Sequence, residues 1–382
     1  MQIPSEFDEI RPFMPEELPA AYAQLIADPQ FRVAMSYVFP EMPFEELAEK
    51  MVTCKTGLDF EKMFCYPFLK DLPIKYGKGM EMDASAIDNQ RRYTFVTNHR
   101  DIVLDSGLLS VLLLDSGFQT TLEIAIGDNL LSLPWVKTLV RVTKSFIVQR
   151  ALTMRQMLES SARLSKYMHF AIGEKNENIW IAQREGRAKD SNDRTQASIL
   201  KMMSMGGEGS VIDRLLQLHI VPLSISYEMD PCDFLKAKEF QQKRDSKDFK
   251  KSKEDDLISM RTGIFGYKGH IHYQCAPCID EWLKTIYTKM PKSDLYDLIA
   301  AHIDREIHRN YRLYPVNYVS LDLLRGTTEY ADRYSAEEKV QFEDYVTSQI
   351  AKIDLPNKDE AFLRERVLTM YANPAINYLA TK

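Results

Sequence analysis

From residue 92 onward, short runs of β-forming residues alternate with segments of helical length, and this alternation most restricts the fold. RYTFVTN, TLEIAIG, KSFIVQR, NIWIAQ, HIVPLSISY and GYKGHIHYQC are the strand-like runs, dense in Val, Ile, Thr and aromatic residues. Between them lie a helix from about Ile102, the segment LLSLPWVKTLV, a long helix through Met168 and a helix across SILKMM. Such alternation calls for an α/β layer structure, a mixed sheet flanked by helices. The two ends of the chain read differently. Residues 1–88 are helical and irregular: Pro43 suits a first helical turn, Glu45 and Glu46 complement the dipole, and Phe44, Leu47 and Met51 share a face. Beyond about residue 284 the pattern is helical again, with Leu295, Leu298, Ile299, Ile303 and Ile307 on one face. Ser335 and Glu338 form a capping-box signature, and a last helix spans Asn357 to Tyr371. The expected division is therefore an N-terminal helical region (1–88), an α/β domain (89–282) and a C-terminal helical region (283–382).

Composition narrows the function classes. A net charge of −6 over 382 residues argues against a wholesale nucleic-acid footprint. The most apolar stretch, Ile102 to Leu114, is interrupted by Asp105, Ser106, Gly107 and Ser110, so a membrane-spanning helix is not expected. The first residues, MQIPSEFDEIRPF, lack the basic-then-apolar pattern of a signal peptide. Five cysteines do not make a disulfide framework in a chain of this length. These features point to the cytoplasm, with any membrane contact peripheral, on the inner face of the cell membrane. The stretch from Asp233 to Asp256 is dense in both signs of charge and reads either as a solvated helical insertion or as a docking face for a membrane or acyl carrier.

The segment with the most chemistry is TNHRDIVLDS, residues 97–106. A strand ends at Asn98, and His99 follows with two carboxylates, Asp101 and Asp105, where a helix should begin. Imidazole is suited to take a proton near neutral pH, and a neighbouring carboxylate fixes its tautomer and stabilises the imidazolium. HRD also occurs in the catalytic loop of protein kinases. Here Ser106 stands where that loop needs its metal-binding Asn, and neither D-F-G nor the glycine-rich loop with its lysine is present.

Three further blocks follow in fixed order. Taken together, NHRDIVLD, KSFIVQR, REGRAKD and HIVPLSISYE resemble the glycerol-phosphate and lysophosphatidate acyltransferase family, over roughly residues 90 to 280. The first family block is H-x-x-x-x-D. The second ends like F-I-x-R, the third centres on E-G with a nearby Arg, and the fourth is a strand with a central Pro. Three departures stand out, the first being Gln183 and Arg184 in place of the family's aromatic-Pro lead-in to the third block. Asp105 lies one position later than the family aspartate, and Arg187 follows Glu185 by two residues where the family usually has three.

The resemblance implies transfer of a fatty acyl group from a thioester, acyl-CoA or acyl-carrier protein, to the hydroxyl of glycerol 3-phosphate or its 1-acyl derivative, in phospholipid synthesis. His99 would be the general base and Asp105 its partner, with Asp101 as the rival. Arg150, Glu185, Gly186 and Arg187 would hold the acceptor: arginine presents a planar fork to phosphate, and glycine lets backbone approach a ligand. Lys189 or Arg194 would share the role of Arg187. Arg141 and Lys144 are further candidate phosphate contacts. Leu133, Trp135, Val136 and Leu139 would be core or an apolar wall for the acyl chain. Val221 and Pro222 would shape the donor side or serve plain fold geometry, the proline marking an edge or bulge.

No metal or tightly bound cofactor is implied. His270, His272, Cys275 and Cys278 carry ligand types that zinc accepts, but strand alternation puts the two histidines on one face and Cys275 on the other. The cluster from Gly206 to Ser210 lacks the lysine and helix of a phosphate loop and reads as a turn. Two other functions are consistent with the residues: an acyltransferase for a different acceptor, such as an amino-acid-containing lipid, and a non-catalytic lipid-binding protein on the same fold.

Overall fold

The computed structural model describes residues 3–150, 153–286 and 291–382. Five helices precede the sheet: α1 (Leu18–Ala27), α2 (Pro29–Val38), α3 (Phe44–Thr53), α4 (Gly57–Phe60) and α5 (Tyr66–Lys75). Asp28 caps α2 by accepting from the backbone N–H groups of Gln30 and Phe31, and Pro29 occupies its first turn. Between α4 and α5, Glu61–Cys65 widen into a π-helix, with Tyr66 N–H bonded to Glu61 O. Pro67 has no N–H to donate to the preceding turn, which favours this widening. Phe44, Leu47 and Met51 are buried together with Leu18, Leu25 and Phe31 in one N-terminal core.

The sheet and its crossovers run β1 (Met80–Asp83), β2 (Thr94–Thr97), α6 (Leu104–Asp115), β3 (Leu122–Gly127), α7 (Pro134–Val142), β4 (Ser145–Val148), α8 (Met154–Gly173) and β5 (Asn178–Ala182). Then come α9 (Ala197–Met203), α10 (Val211–Leu216), β6 (Ile220–Tyr227), α11 (Asp233–Asp245), α12 (Lys253–Phe265) and β7 (Ile271–Cys275). The strand order is β1-β7-β6-β2-β5-β3-β4, parallel throughout except for the antiparallel β6–β7 pair. Alternation along each strand builds two cores. Val96, Ile179 and Ile181 face α8 and α9, whereas Phe95, Trp180 and Val221 face α6. The C-terminal helices are α13 (Asp280–Lys284), α14 (Lys292–Arg309), α15 (Pro315–Arg325), α16 (Ala336–Ala351) and α17 (Glu360–Leu379). The Ser335–Glu338 capping box starts α16.

The observed layers are those expected of a mixed α/β sheet with helical additions at both ends. Several local readings are corrected. Met80–Asp83, inside the segment read as helical and irregular, is an edge strand; four residues flanked by polar runs give little periodicity to detect. Leu298 is 41% exposed, while Leu295, Ile299, Ile303 and Ile307 are buried. β6 is internal to the sheet, so Pro222 marks no sheet edge. It is tolerated because the β7 ladder stops at Leu223↔Cys275, one residue short of it. A short helix, α10, does follow the glycine turn, opened by a Ser210–Asp213 capping box.

The charged stretch from Asp233 is not a solvated insertion along its whole length. One side of α11 is buried against α17, with Asp233, Lys236, Ala237, Glu239 and Gln241 inside. Lys236 Nζ donates to Asp230 Oδ2 at 2.5 Å and to Arg100 O at 3.0 Å, while Arg100 Nη2 lies 3.4 Å from the same Asp230 oxygen. A buried cluster of this kind contributes little net stability, but removing one member strands the others. Lys236→Ala is expected to lower the unfolding free energy by about 3 kcal/mol, read from the shift in the urea midpoint.

Candidate active site

β2, β5, β3 and β4 are mutually parallel, so the segments leaving their carboxyl ends emerge on one edge of the sheet. In open α/β sheets ligand crevices form outside this edge. His99 follows β2, Arg150 follows β4, and Arg184 to Arg187 follow β5. Asn98 anchors the first of these exits. Its side chain donates to Ile225 O at 2.9 Å and accepts from Ile225 N at 2.8 Å, extending the β2–β6 pairing by one step.

The turn after Asn98 folds around Asp105. His99 Nδ1 lies 2.8 Å from Asp105 Oδ2, and the backbone N–H groups of Arg100 and Asp101 donate to that oxygen at 2.6 and 3.0 Å. With three N–H groups aimed at it, Oδ2 serves only as an acceptor, so Nδ1 carries the imidazole proton. Tyr227 OH donates to the other oxygen at 3.2 Å. Asp101, the rival partner, does different work. Its Oδ1 accepts from Val103 N and Leu104 N, both at 2.9 Å, and so caps α6. That cap uses up the extra residue between His99 and Asp105 and leaves the later aspartate facing back toward the ring. Trp180 supports the imidazole edge-on, with centroids 5.5 Å apart.

His99 borders a groove of about 970 Å³. One wall is apolar, from Phe39, Phe64 and Leu69 of the N-terminal helices and Val103 and Val111 at α6. Ile124 and Ile126 of β3, with Val136 and Leu139 of α7, line the other side. Polar side chains gather at the mouth: Arg150, Arg184, Glu185, Arg187 and Lys189. Arg150 Nη1 donates to Glu185 Oε1 at 2.8 Å. Gly186 adopts φ 67°, a left-handed conformation that turns the chain before Arg187. Arg187 Nη1 is buried without a hydrogen-bond partner among the described residues. Lys189 pairs with Glu239 of α11, and burial pushes its ammonium down to about 8.

Other expected contacts fall elsewhere. Lys144 is buried at the opposite end of the sheet, bonded to Thr120, Thr121 and Glu177. Arg141 donates to Arg11 O and Asp8 O and lies over Phe13, tying down the N-terminal segment. Arg194 turns away from the mouth to His308 and Asn377. Trp135 packs on Phe31, and Val221 and Pro222 sit inside the sheet without bordering the groove. His270 stacks on Tyr314, His272 meets Glu81, and Cys275 is core. Cys278 instead joins His219 and Asp280, a group with metal-ligand chemistry. His219 Nδ1 already bonds Asp280 Oδ2 at 2.6 Å, and Arg91 Nη2 stands 3.5 Å from the same oxygen, so these groups pair with one another.

Sequence reasoning missed three residues of this region. Gly263 of α12 lies against Asp101: a Cβ there would come within 1.9 Å of Asp101 Oδ2, so only glycine admits the carboxylate that caps α6. Asp193 is fully buried, and burial pushes its carboxyl up to about 6 against the pull of Arg100 and His99. Glu61, in the π-helix, borders the groove and is pushed up to about 7, again chiefly by burial. The Glu61 and Asp193 signals depend on burial, and Gly263 lies more than a hundred residues from its neighbour, so no local pattern reports them.

The acyltransferase family model matches residues 82–226, from the end of β1 to the end of β6. Among solved structures the chain is similar to the 1-acyl-sn-glycerophosphate (LPA) acyltransferase PlsC from Thermotoga maritima. That similarity has 13% identity and a TM-score of 0.39, over 76% of this chain and 97% of the other. No curated protein matches the chain. The segment that matches the acyltransferase model contains His99, Asp105, Arg150 and Arg187 and ends on the strand that anchors Asn98.

Proposed function

We propose that this acyltransferase moves a fatty acyl group from an acyl thioester to the hydroxyl of a phosphate-bearing glycerolipid, glycerol 3-phosphate or its 1-acyl derivative. The observation that carries the reading is a polarised imidazole at the junction of a long apolar groove and an arginine-lined mouth. The groove suits an acyl chain, and the mouth suits phosphate. His99 Nε2 takes the proton of the acceptor hydroxyl as its oxygen attacks the thioester carbonyl. The tetrahedral intermediate then expels the thiolate of CoA or acyl-carrier protein, which recovers the proton from the imidazolium. Asp105 holds the tautomer and stabilises the imidazolium. Arg187, with its unmatched buried Nη1, and Arg150, ordered by Glu185, receive the phosphate.

Among the described residues no helix is long and apolar enough to cross a membrane. The helices that build the groove also carry exposed apolar side chains: Val33 and Tyr37 on α2, Met154 and Leu158 on α8, Leu257 and Ile258 on α12. This rim supports peripheral seating on a lipid surface, from which a lipid acceptor would enter. One observation favours a second acceptor class. Glu185 is mostly exposed at the mouth, and its carboxylate could pair with an amine, as in an amino-acid-containing lipid.

Thiol release from palmitoyl-CoA, measured with phosphorylated, unphosphorylated and amine-bearing acceptors, tests both readings. His99→Ala is expected to reduce turnover by at least about 10²-fold. Asp105→Asn, which offers an N–H to converging donors, should cost on the order of 10³-fold or more. Undiminished thiol release in His99→Ala would sink the mechanism. Arg187→Ala should raise KM for phosphorylated acceptors alone.

Glu61 gives a separate test of the groove. Its folded pKa, about 7, lies above the usual carboxyl value of 4.5, so the folded state binds the proton more tightly. This contribution is fully present below about pH 4.5 and is lost as pH rises through 7, at a cost of about 3 kcal/mol. Glu61→Gln is expected to flatten the loss of stability between pH 5 and 8 in urea titrations. An unchanged pH slope would place the carboxyl in a wetter site than the structure shows.

A further inference from the structure

Among the described residues, the outer part of the loop bearing Glu185, Gly186 and Arg187 bonds to itself only at short range, Ser191 N to Ala188 O and Asn192 N to Asp190 Oδ1. The loop leaves β5 after Ala182 and passes through left-handed backbone at Gly186 and at Ser191 (φ 59°), the latter a costly conformation for a serine. Glu185 N donates to Gln196 Oε1 at 2.8 Å and Gln196 N to Gln183 O at 2.9 Å, closing the base of the loop. Its outer half, from Asp190 to Thr195, is held by helices more than a hundred residues later in the chain.

From α17, Asn373 Nδ2 donates to Asp190 O at 2.7 Å. Asn377 is used at both ends of its amide: Nδ2 donates to Asn192 Oδ1 at 3.2 Å, and Oδ1 accepts from Arg194 Nη2 at 2.8 Å. From α14, Asp304 Oδ1 accepts from both N and Oγ1 of Thr195 at 2.7 Å. His308 completes the set, with Nδ1 3.3 Å from Arg194 Nη1 and Nε2 3.1 Å from Asp193 O. A guanidinium can only donate, so Nδ1 accepts and Nε2 carries the proton toward the carbonyl. Burial, with Arg194 adjacent, pushes His308 down to about 4, which keeps the ring in this neutral form at neutral pH.

We propose that Asn377, with Asn373, Asp304 and His308, is a positioning device that fixes the acceptor-binding loop, so that the C-terminal helices complete the acceptor site from outside the sheet. None of the four borders the groove. They act through Arg194 and the Asp190–Thr195 backbone on Arg187 and Lys189. The device sets affinity for the phosphate end of the acceptor and leaves acyl-thioester binding, on the far side of His99, untouched. The inference rests on the phosphate-acceptor reading of Arg187.

The test compares the full-length enzyme with Asn377→Leu and with Asn377→Asp, which keeps the acceptor for Arg194. KM is measured separately for 1-acylglycerol 3-phosphate and for palmitoyl-CoA, kcat/KM for monoacylglycerol, and melting temperature alongside. Asn377→Leu is expected to raise KM for the phosphorylated acceptor by about tenfold, with Asn377→Asp recovering most of it. KM for palmitoyl-CoA and kcat/KM for monoacylglycerol should stay within about twofold. Asn373→Ala, at a half-buried position, serves if Asn377→Leu does not fold, with the same selective KM increase expected. An equal loss for donor and both acceptors, or no change in a folded variant, overturns the proposal. A wild-type enzyme indifferent to the acceptor phosphate overturns the reading of Arg187 and this proposal with it. A wild type that needs the phosphate beside an unchanged Asn377→Leu overturns the proposal alone.

Discussion

Three N–H groups converge on one carboxylate oxygen, Asp105 Oδ2, and the geometry of the site follows from that convergence. Two of the donors are backbone, so the turn cannot move without breaking the bonds that orient the third, the imidazole. Asp105 also sits in the first turn of α6, where the helix dipole favours negative charge. The carboxylate is thus fixed by its helix, the turn by the carboxylate and the ring by both. Asn98 binds this assembly to the sheet through Ile225, and Tyr227 reaches it from the same strand. β6 therefore bears on the geometry of the His99 turn although its Val221 and Pro222 do not border the groove.

Buried charge of both signs surrounds this turn. Asp101, Asp105, Asp193 and Asp230 are buried near it, against buried Arg100, Lys236 and Lys268. Burial and then the neighbouring Asp105 push Asp101 up, and burial pushes Asp193 up to about 6 against the pull of Arg100. Asp105 Oδ2 is the carboxylate oxygen that meets the His99 ring directly, 2.8 Å from Nδ1.

How much of this was legible in the sequence depends on the range of each interaction. The strand–helix alternation, the His99–Asp105 juxtaposition and the capping boxes are local, and short spacing reports local geometry. Arg187 was legible because a block order points at it. Arg194, five residues from Lys189 in a loop of the same composition, was not separable from it: the difference is that Asn377 and His308 draw Arg194 away. Lys144, a candidate phosphate contact by its basic side chain between the first two blocks, stands at the opening end of a parallel strand, opposite the ligand edge, and there it meets Glu177. Met80–Asp83 joins the sheet only because β7 offers an edge, which nothing in its four residues announces.

The same distinction bears on why the C-terminal helices are present at all. The β5 exit carries Arg187 to the groove mouth just after left-handed Gly186, and the chain turns through left-handed Ser191 beyond it. A loop left in this state would sample many conformations, and acceptor binding would have to offset the entropy of ordering it. Side chains from α14 and α17 meet that cost during folding instead, because the cores of those helices form whether or not acceptor is bound. Rigidity at the mouth is thus obtained from packing far away, while the groove keeps an apolar lining with few polar commitments. The division of labour is physical: burial in the outer helices supplies the stability, and the strained loop they hold supplies the precision.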